Sequence, residues 1–458
     1  MRLQNSKQQP IDGLPAPQIY WAWATLMIGL TLAVLDGTIA NVALPTIASD
    51  FLAPPAASIW IVNGYQLAIV ITILPFAALG EIYGYRLIYL IGVAVFTAAS
   101  IVCVFSHSLT MLTIARIIQG FGAAGLMSVN TALLRFCVPQ AKFGTAIGLN
   151  AFFVALSSTI GPSLAGVILH YLSWPWLFLI NVPLGIITFV IGVKSLPYNN
   201  LSLRKFDYVS AVLTAIVFGL LIVTVDNAGS GIPLWLVSLQ IFLMIIAAIL
   251  LLRRSHKETN PLLPLDLLRI RIFSLSLCTS IMSFLAQMMA LLSLPFLFQE
   301  VYGYQPIAVG LLMMPWPIAT AIIAPIAGKL SDNYSPAVLG LFGLIIFALG
   351  LFLLGILPPQ PTYIDICWRM AICGMGFGFF QAPNNRMIIT SAPKPRSGAA
   401  SGMLGTARLL GQSLGAASVA LFLSYWGVTY INAIMFIATF FAALAAFISI
   451  SRRIGQST

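Results

Sequence analysis

The sequence predicts an all-α integral membrane protein whose helices cross the bilayer fourteen times, arranged as six, two and six. Three observations predict it. The chain is 60% hydrophobic and only 7% charged, against about 25% charged residues in ordinary globular domains, with a mean hydropathy of +1.00. Its apolar residues gather in runs of about 20, the length that spans a hydrocarbon core. Its basic residues lie between those runs, on alternate sides only.

The runs fall near 20-45, 58-79, 86-106, 110-135, 143-171, 174-196, 208-226, 233-252, 272-299, 307-330, 335-357, 363-384, 397-424 and 428-451. With a cytoplasmic N-terminus, every basic residue except Arg116, Arg369 and Arg408 falls in a cytoplasmic loop, span end or tail. One miscounted span would invert every later loop, so the alternation tests the count independently of hydropathy. The polar first residues lack the pattern of a cleaved signal peptide, and the expectation is a retained tail.

Composition also excludes classes. The net charge of +11 is topological and marks no nucleic-acid partner. The five cysteines form no CxxC pair and read as small core residues. No HExxH, GxSxG in a suitable context or GxxxxGK[ST] loop is present, so neither catalysis nor ATP drive is expected, and no metal or cofactor.

Two loops mark an internal repeat. "GEIYGYR" (80-86) follows the second span and "GKLSDNYSP" (328-336) follows the tenth. The chain parses into a tail at 1–19, a six-helix bundle at 20–196, a two-helix insert with its loops at 197–258, a second six-helix bundle at 259–451 and a tail at 452–458. Two parallel six-span repeats with substrate handled between them is the plan of a secondary transporter.

The motifs within this plan resemble those of the major facilitator superfamily, in its fourteen-span drug:proton antiporter branch. "LDGTIANVALP" (35-45) is similar to that branch's first-span signature, and Trp60, Tyr65 and Leu67 follow it at the second-span spacing. "RIIQGFGAA", from Arg116, matches the fourth-span motif; "GLNAFFVALSSTIGPSLAG" (148-166) resembles the antiporter motif, with Gly148, Gly161, Pro162 and Gly166 kept and Ser157 and Ala165 where glycine is usual. In the loop motif, Ala77, Glu81 and Tyr85 replace the usual glycine, aspartate and basic residue, while Gly84 and Arg86 remain. The resemblance implies a major facilitator fold, export of small amphipathic compounds or drugs, and a monomer in a bacterial inner membrane with both termini cytoplasmic. A symporter, or an exporter of one metabolite such as a siderophore, stays open, as does a non-transport sensor or scaffold.

Asp36 carries the chemistry. A lone carboxylate deep in a span costs several kcal/mol and must find a partner or a proton. It is the expected proton carrier, with Arg116, which cannot lose its proton, as its counter-charge. The alternatives are a packing carboxylate or a static ion pair. The bent, narrow fifth span reads as an element of close helix packing. Glu81, Gly84 and Arg86, with Gly328 and Asp332, are expected to gate the cytoplasmic end. Asn41, Asn63, Tyr65, Gln66, Asn130, Asn150, Phe152, Gln287, Trp316 and Gln412 are the candidate cavity lining, since polar residues in spans face the bundle interior. The scarcity of embedded acids against Arg116, Arg369 and Arg408 leaves a neutral or anionic substrate open.

Overall fold

The computed structural model describes residues 13–139, 143–199, 201, 206–227, 232–255, 265–393 and 397–454, and among these no residue is in a strand. The first six-span region holds α1 (Gln18–Asp50), α2 (Pro55–Ser58), α3 (Trp60–Tyr83), α4 (Tyr85–Val104), α5 (Leu109–Cys137), α6 (Phe143–Tyr171), α7 (Trp176–Leu179) and α8 (Asn181–Ser195). The insert is α9 (Tyr208–Asn227) and α10 (Leu234–Ser255). The second region holds α11 (Leu265–Leu268), α12 (Arg271–Phe296) with a π-helical turn at Leu297–Val301, α13 (Pro306–Met313), α14 (Pro315–Asn333), α15 (Pro336–Gly355), α16 (Tyr363–Ser391), α17 (Ser397–Trp426) and α18 (Ala433–Ile454).

Local chemistry sets several boundaries. Ser108 caps α5 by accepting a hydrogen bond from the Met111 N–H, and Thr362 caps α16 through the Asp365 N–H. Gly84, at φ 107°, makes the break between α3 and α4 that a side chain would strain.

Twelve of these helical segments are long and apolar enough to cross a membrane. Of the fourteen expected spans, α6 and α16 fall outside that set, although each is a 29-residue helix. In α16 the residues Asp365, Arg369, Asn384, Asn385 and Arg386 dilute the apolar content.

The internal repeat recurs as backbone contact. Gly120 of α5 lies against the Tyr65 carbonyl of α3, and Gly374 of α16 against the Trp316 carbonyl of α14. Gly122 meets Gly92 and Phe96 of α4 just as Gly376 meets Gly343 and Phe347 of α15. Glycine is required at such crossings because a methyl group would sit inside a neighbour's backbone. Pro75 of α3 and Pro325 of α14 interrupt matching helices.

The halves meet unevenly. The start of α1 sits beside the ends of α5 and α8, through Leu14 N–H to the Cys137 carbonyl and Gln18 to the Ser195 carbonyl; this is the proximal end of the bundle. At the distal end one apolar core is shared, joining Leu44, Ile47 and Ile61 to Phe284, Met288 and Phe298. Toward the proximal end the core divides into one cluster around Tyr89 and Leu133 and another around Phe273 and Ile388. The insert bridges the two: Phe218 of α9 packs on the first cluster, and Leu213 and Val217 on the second.

Candidate functional site

The centre of the first half is a buried polar knot. Asp36 is the nineteenth residue of α1, about 27 Å from its start at 1.5 Å per residue. Asp36 and Arg116 of α5 form an ion pair, at 2% and 0% exposure. The Asp36 carboxylate also accepts from Asn181 Nδ2 of α8 at 2.7 Å and Gln119 Nε2 of α5 at 3.1 Å. Arg116 donates through Nη1 to Gln119 Oε1 at 2.5 Å and through Nε to the Ile61 carbonyl at 3.1 Å. Its guanidinium lies 4.2 Å over the Tyr65 ring and 5.5 Å over Phe178, and Tyr65 Oη donates to the Ala33 carbonyl.

Two chemical consequences follow from this arrangement. A carboxylate taken from water is stabilised by these donors, whereas a protonated one leaves the guanidinium charge uncompensated. Protonating Asp36 therefore weakens a joint between α1, α5 and α8. Arg116 Nη2 and Asn181 Oδ1 are buried without a partner, so the knot is not saturated.

Sequence reasoning missed Gln119 and Asn181. Gln119 sits three residues after Arg116, on the same helix face, and was visible in "RIIQG". Asn181 opens α8 after a Trp-Pro-Trp turn, where nothing local marks it as a partner of Asp36.

The remaining lining candidates do not form one connected network. Asn63 and Gln66 lie one turn apart on α3; Gln66 Nε2 meets Met288 Sδ of α12 at 3.8 Å, across the seam. Asn63 Nδ2 and Oδ1, Gln66 Oε1 and Asn41 Oδ1 are buried and have no partner among the described residues. Asn130 donates to Asn150 at 3.1 Å. Gln287 and Gln412 are half-buried on α12 and α17. Trp316 packs edge-on against Phe347 at 5.6 Å, its Nε1 unpartnered. The side chains of Phe152, Gly148 and Asp332 lie outside the described residues.

The antiporter-motif residues do meet across the seam. A Cβ on Gly310 of α13 would stand 2.6 Å from the Pro162 carbonyl and 3.2 Å from the Gly166 Cα. Gly161 abuts Thr38 of α1, Ala165 is fully buried, and Ser157 bonds back to the Phe153 carbonyl. Nearby, Gln299 of the π-helical turn donates to the Val42 carbonyl at 3.1 Å and accepts from Thr46 Oγ1 at 3.3 Å. Above them, Thr46, Asp50, Gln299 and Glu300 line a distal cavity of about 570 Å³.

The described contacts of the loop arginines lie within their own halves. Arg86 donates to the Val193 carbonyl of α8 and lies 4.3 Å over the Tyr198 ring, both within its own half. Glu81 is exposed, and Gly328 faces open space. In the second half Arg386 donates to Ser331 at 3.0 Å, tying α16 to α14.

Two arginines sit differently from their sequence placement. Arg369, read as an isolated embedded charge, pairs with Asp365 at 3.1 Å one turn earlier. Arg452, read as the start of a tail, is 2% exposed within α18, where it donates to Ser276, Asn384 and Ser449.

A helical bundle of two repeated halves, with a charged knot in one and a seam between them, is the architecture of a secondary transporter. The chain belongs to the Major Facilitator Superfamily, whose sequence pattern matches residues 26–416. It is 53% identical over 440 residues to the uncharacterized transporter YebQ of Escherichia coli K12, covering 96% of each chain. It is 32% identical to the riboflavin transporter RibZ of Clostridioides difficile strain 630, over 86% of this chain and 87% of that one. The multidrug resistance protein Stp of Mycobacterium tuberculosis CDC 1551 / Oshkosh is 31% identical, over 87% and 75%. In fold, the chain is similar to a POT family transporter crystallised with 5-aminolevulinic acid, at TM-score 0.71 and 14% identity, over 95% and 96%.

Proposed function

We propose that the protein is a proton-coupled exporter of small amphipathic molecules, working by alternating access, in an inner membrane with both termini cytoplasmic. The observation that carries this reading is the Asp36–Arg116 pair with its Asn181 and Gln119 donors, a buried ionisable joint between three helices. Loading a proton on Asp36 loosens the joint; losing it to the other side restores the joint. The coupling machinery belongs to one half only. The repeat position of Arg116, four residues before the crossing glycine, is Met370 in α16, and the same region there is an aromatic cluster of Trp316, Phe347 and Phe377.

On this reading the distal end is the outer end. The shared core, the Gly166–Gly310 crossing and the Thr46–Gln299 bond keep it closed, while the cytoplasmic end has parted clusters. Fourteen spans follow if α6 and α16 cross with the twelve others. The working unit is a monomer and the insert a part of the fold added to two complete halves. Similarity to Stp favours export of drug-like compounds. Similarity to RibZ favours a second reading, transport of one flat heteroaromatic metabolite such as riboflavin.

The test uses inside-out vesicles, in which export registers as uptake. A panel of amphipathic fluorophores, with riboflavin, is expected to accumulate when the lumen is acid and to leak out when a protonophore is added. Asp36→Asn is expected to abolish gradient-driven uptake. Gradient-driven uptake by Asp36→Asn equal to that of the native chain overturns the proton-carrier role.

A further inference from the structure

Arg408 of α17 is a charge deep in the bundle with no partner among the described residues. It lies eleven residues from Ser397, about 17 Å along the helix axis. It is half-buried, and among the described residues no hydrogen bond, ion pair or ring contact engages it. The other embedded guanidiniums each have polar partners: Arg116 has Asp36, Arg369 has Asp365, and Arg452 has two hydroxyls and an amide oxygen. A guanidinium near mid-bilayer is costly and persists where it faces a water-filled cavity or an anion.

The packing of α17 shows which way Arg408 faces. Gly411 and Gly415 press on the Ile281 and Leu285 carbonyls of α12, and Gly402 faces Leu74 of α3. Met403 and Ala407 belong to the buried cluster against which Leu213 and Val217 of α9 pack. At 100° per residue, the face left between α12 and α3, away from α9, carries Gly405, Arg408 and Gln412. A Cβ on Gly405 would meet nothing within 4 Å, so this face borders open space. The glycine clears room one turn below the arginine, and Gln412 adds an amide one turn above.

From this we propose that Arg408, with Gln412, is the binding site for the anionic group of the substrate, and that the preferred substrates are amphipathic monoanions such as carboxylates. The guanidinium presents two parallel N–H donors that match a carboxylate's two oxygens. Asp36 cannot neutralise Arg408, because its oxygens are already committed to Arg116, Asn181 and Gln119. The assignment rests on the transport reading for its purpose, but binding at this site requires no gradient.

The experiment measures equilibrium binding to purified protein in phosphatidylcholine nanodiscs, with no gradient, so that failure of proton coupling leaves the result intact. The probes are dansylglycine, its uncharged methyl ester and dansylcholine, read by dansyl fluorescence. The native chain is expected to bind the carboxylate most tightly. Arg408→Gln is expected to weaken carboxylate binding about tenfold or more while leaving the ester unchanged, and Arg408→Lys to retain most of the preference. Equal loss for carboxylate and ester, a native preference for ester or choline, or no binding of dansylglycine overturns the proposal. Displacement by phosphatidylglycerol added to the discs overturns it too, by assigning the site to a lipid headgroup. If Arg408→Gln does not fold, the native ranking of the three probes and the Arg408→Lys variant still decide.

Discussion

Asp36 and Arg116 illustrate why a buried pair is informative about mechanism rather than about stability. Removing one partner leaves an uncompensated buried charge, at a cost of about 3–5 kcal/mol, whereas replacing both by apolar groups is often neutral. Arg116→Met is therefore expected to lower the melting temperature of the purified protein sharply, and Asp36→Asn combined with Arg116→Met to recover most of the loss without recovering transport. A double variant no more stable than Arg116→Met alone would remove the charge argument. The pair was legible in the sequence because two charges stood in apolar runs. Its neighbours were not: Asn181 reaches Asp36 across 145 positions of chain, and no local pattern encodes a distance of that kind. The same holds for Arg452, whose place at the chain's end suggested solvent while its polar cage is built from α12, α16 and its own helix.

Helices α9 and α10 form a hairpin stapled at the base. Arg254 holds Asp207, with Nη2 and Nε each 3.0 Å from Oδ1, and Asp207 also caps α9 through the Ser210 N–H and hydroxyl. Burial pulls the Asp207 carboxyl upward, but the Ser210 bonds and the Arg254 charge outweigh it and hold it below the usual carboxylate value of 3.8. A depressed folded value means the stabilisation is present above 3.8 and is lost as pH falls through the lower folded value. Asp207→Asn is accordingly expected to lower stability by about 1 kcal/mol at neutral pH, with the difference from the native chain closing below about pH 4. Thermal unfolding at several pH values checks this, and a gap that persists at low pH counts against the staple. Sequence reading located these two helices but said nothing of their neighbours. Their seat across the seam comes from Leu213, Val217 and Phe218 packing on two separate clusters.

The molecule as a whole shares one apolar core at one end and has two separate clusters at the other, and the proposed alternating access requires that this asymmetry reverse. Thr46 and Gln299 touch across the distal end, and on the alternating-access reading this contact must break when that end opens. Cysteines at both positions, in a chain whose own five cysteines are replaced, are expected to cross-link and to stop transport until a reductant is added. Cross-linked protein that transports at the native rate would show that the distal end does not open. At this seam Gly166 of the antiporter motif faces Gly310 of α13, and a side chain on either would meet backbone. At Ser157 and Ala165 a small side chain fits, whereas at Gly310 any Cβ meets backbone.

The membrane class, the helical runs, the internal repeat and the presence of Asp36 and Arg116 as charges within apolar runs were all determined by the chain's order of residues. Each depends on local composition, because a bilayer excludes charge and unpaired backbone wherever they occur. Only the tertiary structure decided which polar groups meet, at which end the apolar core is shared, and that Arg369 and Arg452 have polar partners while Arg408 has none among the described residues. Those outcomes depend on which helix faces pack together, and a face is chosen by its partners as much as by its own residues.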